Sequence, residues 1–288
     1  MRVGKDGLVV PANRLKTMLK QRIITALFLL PIVIGSILLL PVEFFAIVWA
    51  VIMSIAAYEW LKLSGIKNKI SLLAGLVVLN GLFSASFWLN LFPDVPFELL
   101  ILIVWLFVIV SFTGDPVARL QKCSSASYSA IGITIGALAI FPTWMAMVLL
   151  HQHNPWMVLY VFGIVWVADT GAYFSGKAFG KNKLAPAISP GKSWEGVWGA
   201  LLAIVIYSTV VSMLWLNYDQ PWLFVLISVV AAIASVAGDL LESVFKRAHG
   251  VKDSGTILPG HGGVMDRLDS IMAAAPVFTA TYYLAGWL

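Results

Sequence analysis

Two stretches of this chain are too long and too apolar to belong to a soluble domain. Ile23 to Leu40 contains no charged side chain, and neither does Ile70 to Phe92. A helix of about 20 apolar residues crosses the ~30 Å hydrocarbon layer of a bilayer, and runs of this length are the signature of such spans. Charged residues make up 11% of the chain and hydrophobic ones 60%, whereas a soluble domain carries about 25% charge to cover its surface. The apolar residues also come in blocks, without the one-sided stripe expected of a helix that lies on a soluble core.

Uncharged runs and helix breakers divide the chain into nine expected spans, 23–40, 43–61, 70–91, 97–113, 128–150, 156–176, 194–216, 222–243 and 269–287. Pro41 separates the first two, because proline has no N–H to continue a helix. All 19 Lys and Arg residues then fall on alternate flanking segments. Six, from Arg2 to Arg22, precede the first span; Lys62, Lys67 and Lys69 follow the second; Arg119 and Lys122 follow the fourth. Lys177, Lys181, Lys183 and Lys192 follow the sixth, and Lys246, Arg247, Lys252 and Arg267 follow the eighth. The opposite side carries Glu43, Asp94, Glu98, His151, His153 and Asp219. Positive charge stays inside, so the expected fold is an all-α polytopic membrane protein with its N-terminus in the cytoplasm and its C-terminus outside.

The formal charge of +5 is absorbed by this topology, and no nucleic-acid partner is expected. Residues 1–22 form a cytoplasmic or interfacial lead, in which 11–22 has the spacing of a short basic helix on an anionic membrane surface. The first apolar run is too long for a cleavable signal. Residues 23–288 are expected to form a single transmembrane catalytic domain. Cys123 is the only cysteine, which excludes an intrachain disulfide. Small-residue pairs such as Gly132/Gly136 can pack within one chain or between protomers of a homodimer.

Reactive side chains gather in the two long basic loops and the helix ends beside them. Asp239, Glu242, Ser243 and Lys246 share one helix face at i, i+3, i+4, i+7. Carboxylates in a span are costly and face a polar cavity or a partner; an Asp–Lys pair closing the helix end accounts for Asp239 equally well. The next loop, Leu258-Pro259-Gly260-His261-Gly262-Gly263, turns tightly and opens onto a helix carrying Asp266, Arg267 and Asp269. Such backbone N–H groups at a helix start form an anion site. Asp266 and Asp269, at i, i+3, share a face of that helix, and hard oxygen donors like these suit Mg2+ better than zinc. The other loop reads Ser189-Pro190-Gly191-Lys192-Ser193-Trp194-Glu195-Gly196. It is not a Walker A loop, since Pro186 stands where glycine is required, but Lys192 and Ser193 at a helix start can hold phosphate. Asp169, one turn from Tyr173, can line the same cavity.

These residues resemble a known signature. Ser243-x2-Lys246-Arg247-x4-Lys252-Asp253-x-Gly255-x2-Leu258-Pro259-x-His261-Gly262-Gly263-Val264-x-Asp266-Arg267-Leu268-Asp269 is similar, without a gap, to that of the phosphatidate cytidylyltransferases (CDP-diacylglycerol synthases). It spans 27 residues, 243–269, and the Asp169–Gly196 region resembles the family as well. The first four spans carry only a general likeness in hydropathy. The resemblance implies a Mg2+-dependent nucleotidyl transfer from CTP to phosphatidate, giving CDP-diacylglycerol and pyrophosphate, in a multi-pass protein of the cell's inner (cytoplasmic) membrane. Asp239 and Asp266 are then expected to hold Mg2+, as one ion or a bridged pair, with Asp269 and Ser243 in support. Lys192, Lys246, Arg247, Lys252 and Arg267 are expected to bind the triphosphate and lipid headgroup, and Asp169, His261, Gly262 and Gly263 to complete the pocket. Two other readings compete. A cation relay through Asp169, Asp239 and Glu59 would need acids across the midplane. A CDP-alcohol phosphotransferase would need an Asp-Gly-x2-Ala-Arg motif, which the chain lacks.

Overall fold

The computed structural model describes residues 2–3, 9–10, 27, 30–89, 95–215, 220–258, 260 and 262–288, with backbone only at 2–3, 9–10 and 95–98. The expected interfacial helix at 11–22, and Pro259 and His261 of the glycine loop, lie outside the described residues.

Among the described residues the chain is nearly all helical. The helices are α1 (Leu30–Leu39), α2 (Val42–Leu63), α3 (Lys69–Trp88), α4 (Val95–Ser111), α5 (Pro116–Gln121), α6 (Ser125–His153), α7 (Pro155–Phe179), α8 (Trp194–Trp215), α9 (Pro221–Ala248), α10 (Met265–Leu268) and α11 (Ile271–Leu284). Their starts follow local chemistry. Asn68, Asp115 and Ser124 accept backbone N–H groups at the starts of α3, α5 and α6, which satisfies donors that an open helix end leaves unpaired. Asn154 ends α6 and caps α7, and Pro155 takes the first position of α7, where its missing N–H costs nothing.

Among the described residues six helices (α2, α3, α6, α7, α8 and α9) are long and apolar enough to cross a membrane, and the chain is accordingly a multi-pass membrane protein. The described parts of α1 and α4 are shorter apolar helices. The expected ninth segment is interrupted. After α10 the chain turns at Asp269 and Ser270, where Asp269 Oδ1 accepts the Ser270 N–H at 2.7 Å, and α11 has 14 residues. Four helices run past their expected ends, α2 to Leu63, α6 to His153, α7 to Phe179 and α9 to Ala248.

The long loop after α7 is a hairpin, so the all-helical expectation fails locally. β3 (Lys183–Ala185) pairs antiparallel with β4 (Ser189–Ser193), with a register shift between Lys183 and Ala185. β1 (Arg2–Val3) pairs with β2 (Val9–Val10) near the N-terminus.

Helix α11 lies at the centre. Ile271 to Ala280 is buried throughout, packed against α9, α6, α4 and α7. Its surroundings are held by close approach and by hydrogen bonds, the forces that remain when lipid replaces water outside the protein. A side chain at Gly132 or Gly136 of α6 would collide with Ser64 and Trp60 of α2, and Trp60 Nε1 donates to the Gly132 carbonyl at 2.7 Å. This glycine pair therefore packs inside the chain. Thr143 Oγ1 donates to Met272 of α11 at 3.0 Å, and Trp144 Nε1 to Ala46 of α2 at 3.0 Å. The outer faces expose Leu73, Val77, Phe107, Leu202, Ile206 and Met213, a surface suited to acyl chains and unsuited to water.

Candidate active site

At one end of the bundle the C-terminal ends of α2, α7 and α9 meet the β3–β4 hairpin and the 252–265 loop. Gly238 sets the arrangement. A Cβ there would collide with the Asp269 carbonyl oxygen, so α9 passes in backbone contact with the α10–α11 turn and Asp239 comes to lie beside Asp269. Their charges interact, as do those of Glu242 with Asp269 and Asp266. Asp169 of α7 feels Lys192, Asp239 and Arg267. Acids from three separate parts of the sequence thus face one region.

Two lysines offset this charge. Lys192 Nζ from β4 stands 2.6 Å from Asp239 Oδ2, both side chains about a quarter exposed at 26% and 28%. Lys246 Nζ lies 2.7 Å from Glu242 Oε2 and 2.7 Å from Asp266 Oδ1. Ser243 Oγ donates to Asp239 Oδ1 over a long 3.3 Å. Asp266 Oδ2 accepts the backbone N–H groups of Ser254 at 3.0 Å and Gly263 at 2.8 Å. Burial alone would raise the Asp266 carboxyl; the Lys246 ammonium and these two N–H groups outweigh it and hold the group below the usual carboxylate range.

A cavity of about 430 Å3, lined in part by Asp169, Tyr173, Lys177, Lys192, Ser193 and Asp239, opens here. It is of the size used for small ligands. A second, apolar cavity of about 450 Å3 shares Val197 and Val236 with it and extends between α4, the β3–β4 hairpin, α8 and α9.

The remaining expected residues are placed as follows. Ser193 caps α8, accepting the Gly196 N–H at 3.2 Å. Arg247 is exposed, and its Nε donates to Ile188 O at 3.3 Å, which ties α9 to the hairpin. Lys252 is exposed on the outgoing limb of the loop, and Arg267 is exposed on α10. Gly262 has φ +84°, a conformation that favours glycine, and its carbonyl accepts the Leu258 N–H at 2.9 Å to close the loop. Lys177, Tyr173 and Glu242 join the site without having been singled out for it. Glu242 was visible on the Asp239 helix face. Lys177 and Tyr173 share the α7 end with Asp169.

Among the described residues no three His, Cys, Asp or Glu side chains stand close enough to cage a metal by themselves. Mg2+ does not need such a cage. It takes one or two carboxylates and completes its octahedron with water and substrate phosphates. The oxygen donors at Asp239 and Asp266, each now facing a lysine ammonium, fit that mode of binding.

The model of the cytidylyltransferase family matches residues 20–285. A phosphatidate cytidylyltransferase of Pseudomonas aeruginosa is 42% identical over 280 residues, covering 94% of this chain and 99% of the relative. Those of Haemophilus influenzae and Staphylococcus epidermidis are 35% and 34% identical, covering 92% and 88% of this chain and 99% and 94% of theirs. The match runs through the first spans as well as the signature, and this chain belongs to the cytidylyltransferase family.

Proposed function

We propose that this protein transfers the cytidylyl group of CTP to phosphatidate, forming CDP-diacylglycerol and releasing pyrophosphate for phospholipid synthesis. A phosphate oxygen of the lipid attacks the α-phosphorus of CTP. The new P–O bond forms as the bond to the β-phosphate oxygen breaks, and that oxygen leaves with pyrophosphate. The lipid phosphate is anionic near neutral pH and needs no strong base. What opposes the reaction is repulsion between two polyanions, so catalysis consists of charge neutralisation and in-line positioning.

The single observation that carries this reading is the pairing of Lys192 with Asp239 and of Lys246 with Asp266 at one end of the bundle. Two acids and two ammonium groups are poised there to exchange partners. Lys192, Lys246, Arg247, Lys252 and Arg267 bind the triphosphate and the headgroup, with Asp169, Ser193, His261, Gly262 and Gly263 completing the pocket. Asp239 and Asp266, supported by Asp269 and Ser243, would hold Mg2+, which would supply screening of phosphate charge and Lewis-acid polarisation of the reacting phosphate. The apolar cavity sharing Val197 and Val236 with the polar one gives an acyl chain a way in from the bilayer.

The site lies at the cytoplasmic face of the inner membrane, in a single catalytic domain of nine spans with the N-terminus inside. The alternation of every lysine and arginine with the spans supports this. A homodimer would have to use a surface other than the Gly132/Gly136 ridge. The test is purified protein with radiolabelled CTP: label should enter chloroform-soluble lipid only when phosphatidate and Mg2+ are both present. Label in lipid without phosphatidate, or none with both, contradicts the assignment.

A further inference from the structure

Helix α2 lies far from the signature in sequence, yet it places a carboxylate against the signature loop. Glu59 is 2% exposed. Its Oε2 accepts the Met265 N–H at 2.8 Å and the Ser254 hydroxyl at 3.1 Å. Its Oε1 has no hydrogen-bond partner among the described residues. The loop's backbone closes over this group: a Cβ at Gly255 would collide with Oε1, and one at Gly263 with Oε2. Ser254 and Gly255 lie on the outgoing limb, and Gly263 and Met265 on the return.

Asp266 grips the same two limbs from the other side, through the N–H groups of Ser254 and Gly263. Ser254 thus gives its N–H to one carboxylate and its hydroxyl to the other. The loop is held between a group in the reaction centre and a group outside it. A shift of about 1 Å in a catalytic group costs about 10²-fold in rate, so whatever fixes this loop fixes the reaction geometry.

We propose that Glu59 is a positioning residue for the transfer: as a hydrogen-bond acceptor from α2 it clamps both limbs of the 252–265 loop and so sets Asp266 and, through it, Lys246. This rests on the functional reading above and gives the N-terminal half of the bundle a part in catalysis. What the clamp requires is acceptance at Oε2. Negative charge is not required, and glutamine, whose carbonyl oxygen can take the same two bonds, serves in its place.

The test compares Glu59→Ala, Glu59→Gln and Ser254→Ala in purified full-length protein, by steady-state kinetics and by hydrogen–deuterium exchange of peptides covering 252–266. Glu59→Ala should lower kcat by about 10²-fold with KM for CTP little changed, and should speed exchange in those peptides. Glu59→Gln should restore most of the rate and the protection. Ser254→Ala should lower kcat several-fold, and should add little to Glu59→Ala because both cut the same clamp. If Glu59→Ala does not yield folded protein, the Gln and Ser254 variants still decide. Wild-type kcat and exchange in Ser254→Ala, or a Glu59→Gln as slow and as unprotected as Glu59→Ala, overturns the proposal. A wild type that forms no cytidylyl lipid, with the exchange contrast intact, overturns the functional reading and leaves the clamp standing.

Discussion

Lys192 Nζ stands 2.6 Å from Asp239 Oδ2, which joins the end of β4 nearest α8 to α9 by one ion pair in the lining of the polar cavity. The bond is partly solvated, so its own contribution to stability is small. Its consequence is for substrate. In the proposed transfer, the ammonium held beside Asp239 is the group placed to swing to a phosphate oxygen of the substrate. Lys192→Ala is expected to fold normally, to lose about 10²-fold in kcat/KM and to show most of that loss when CTP is varied. The check is initial-rate kinetics with each substrate varied in turn.

The second pair is different because it is buried. The Lys246 side chain is 11% exposed, and its partners Glu242 and Asp266 are 0% and 7%. Removing one member of a buried charge network leaves the others uncompensated and costs about 3–5 kcal/mol. Lys246→Met should therefore lower the thermal midpoint in detergent clearly, whereas Lys192→Ala should not. Equal midpoints for the two variants would contradict this division of labour.

Gly238→Ala separates helix propensity from close approach. Alanine favours a helix interior by about 1 kcal/mol over glycine, yet its Cβ would collide with the Asp269 carbonyl. The expected result is lower stability and a fall in turnover of at least about tenfold, as α9 moves and carries Asp239 with it. A thermal-unfolding curve and one rate measurement suffice.

Asp266 gives a pH prediction of definite sign. Its folded carboxyl sits below the usual range, so the stability it supplies is fully present above the unfolded value of about 3.9. That stability is lost as pH falls through the lower folded value. The gap in thermal midpoint between wild type and Asp266→Asn should stay constant from neutral pH down to the ordinary carboxylate range and close only below it.

Val236 lies in the wall between the polar and apolar cavities. Val236→Trp should fill the passage and raise KM for long-chain phosphatidate, while KM for CTP changes little. Assays in mixed micelles with short- and long-chain lipid read the difference.

Much of this was legible in the sequence for physical reasons. Helix positions followed from uncharged runs, because an unpaired backbone cannot survive in lipid. The acids stood out because a carboxylate in an apolar run is costly. Other features depended on tertiary packing. Nothing local shows that Lys192 meets Asp239, since the sequence marks the segment that carries it only as a basic loop turning into a helix start. From sequence Glu59 fits only a cation relay; its contact with Met265 spans most of the chain and leaves no periodic trace. Gly132 and Gly136 had the spacing of a helix interface, but spacing does not say whether the partner is α2 or a second chain.

The central claim is that carboxylates from α9 and from α10 act together in one transfer centre. Pyrophosphate release from CTP and phosphatidate by purified Asp239→Asn and Asp266→Asn tests it most directly. Each variant should insert, purify and bind detergent as the wild type does, and each should lose turnover almost completely, the double variant no worse than either. Near-normal release by Asp266→Asn, or an Asp239→Asn that is active while Asp266→Asn is not, would contradict it.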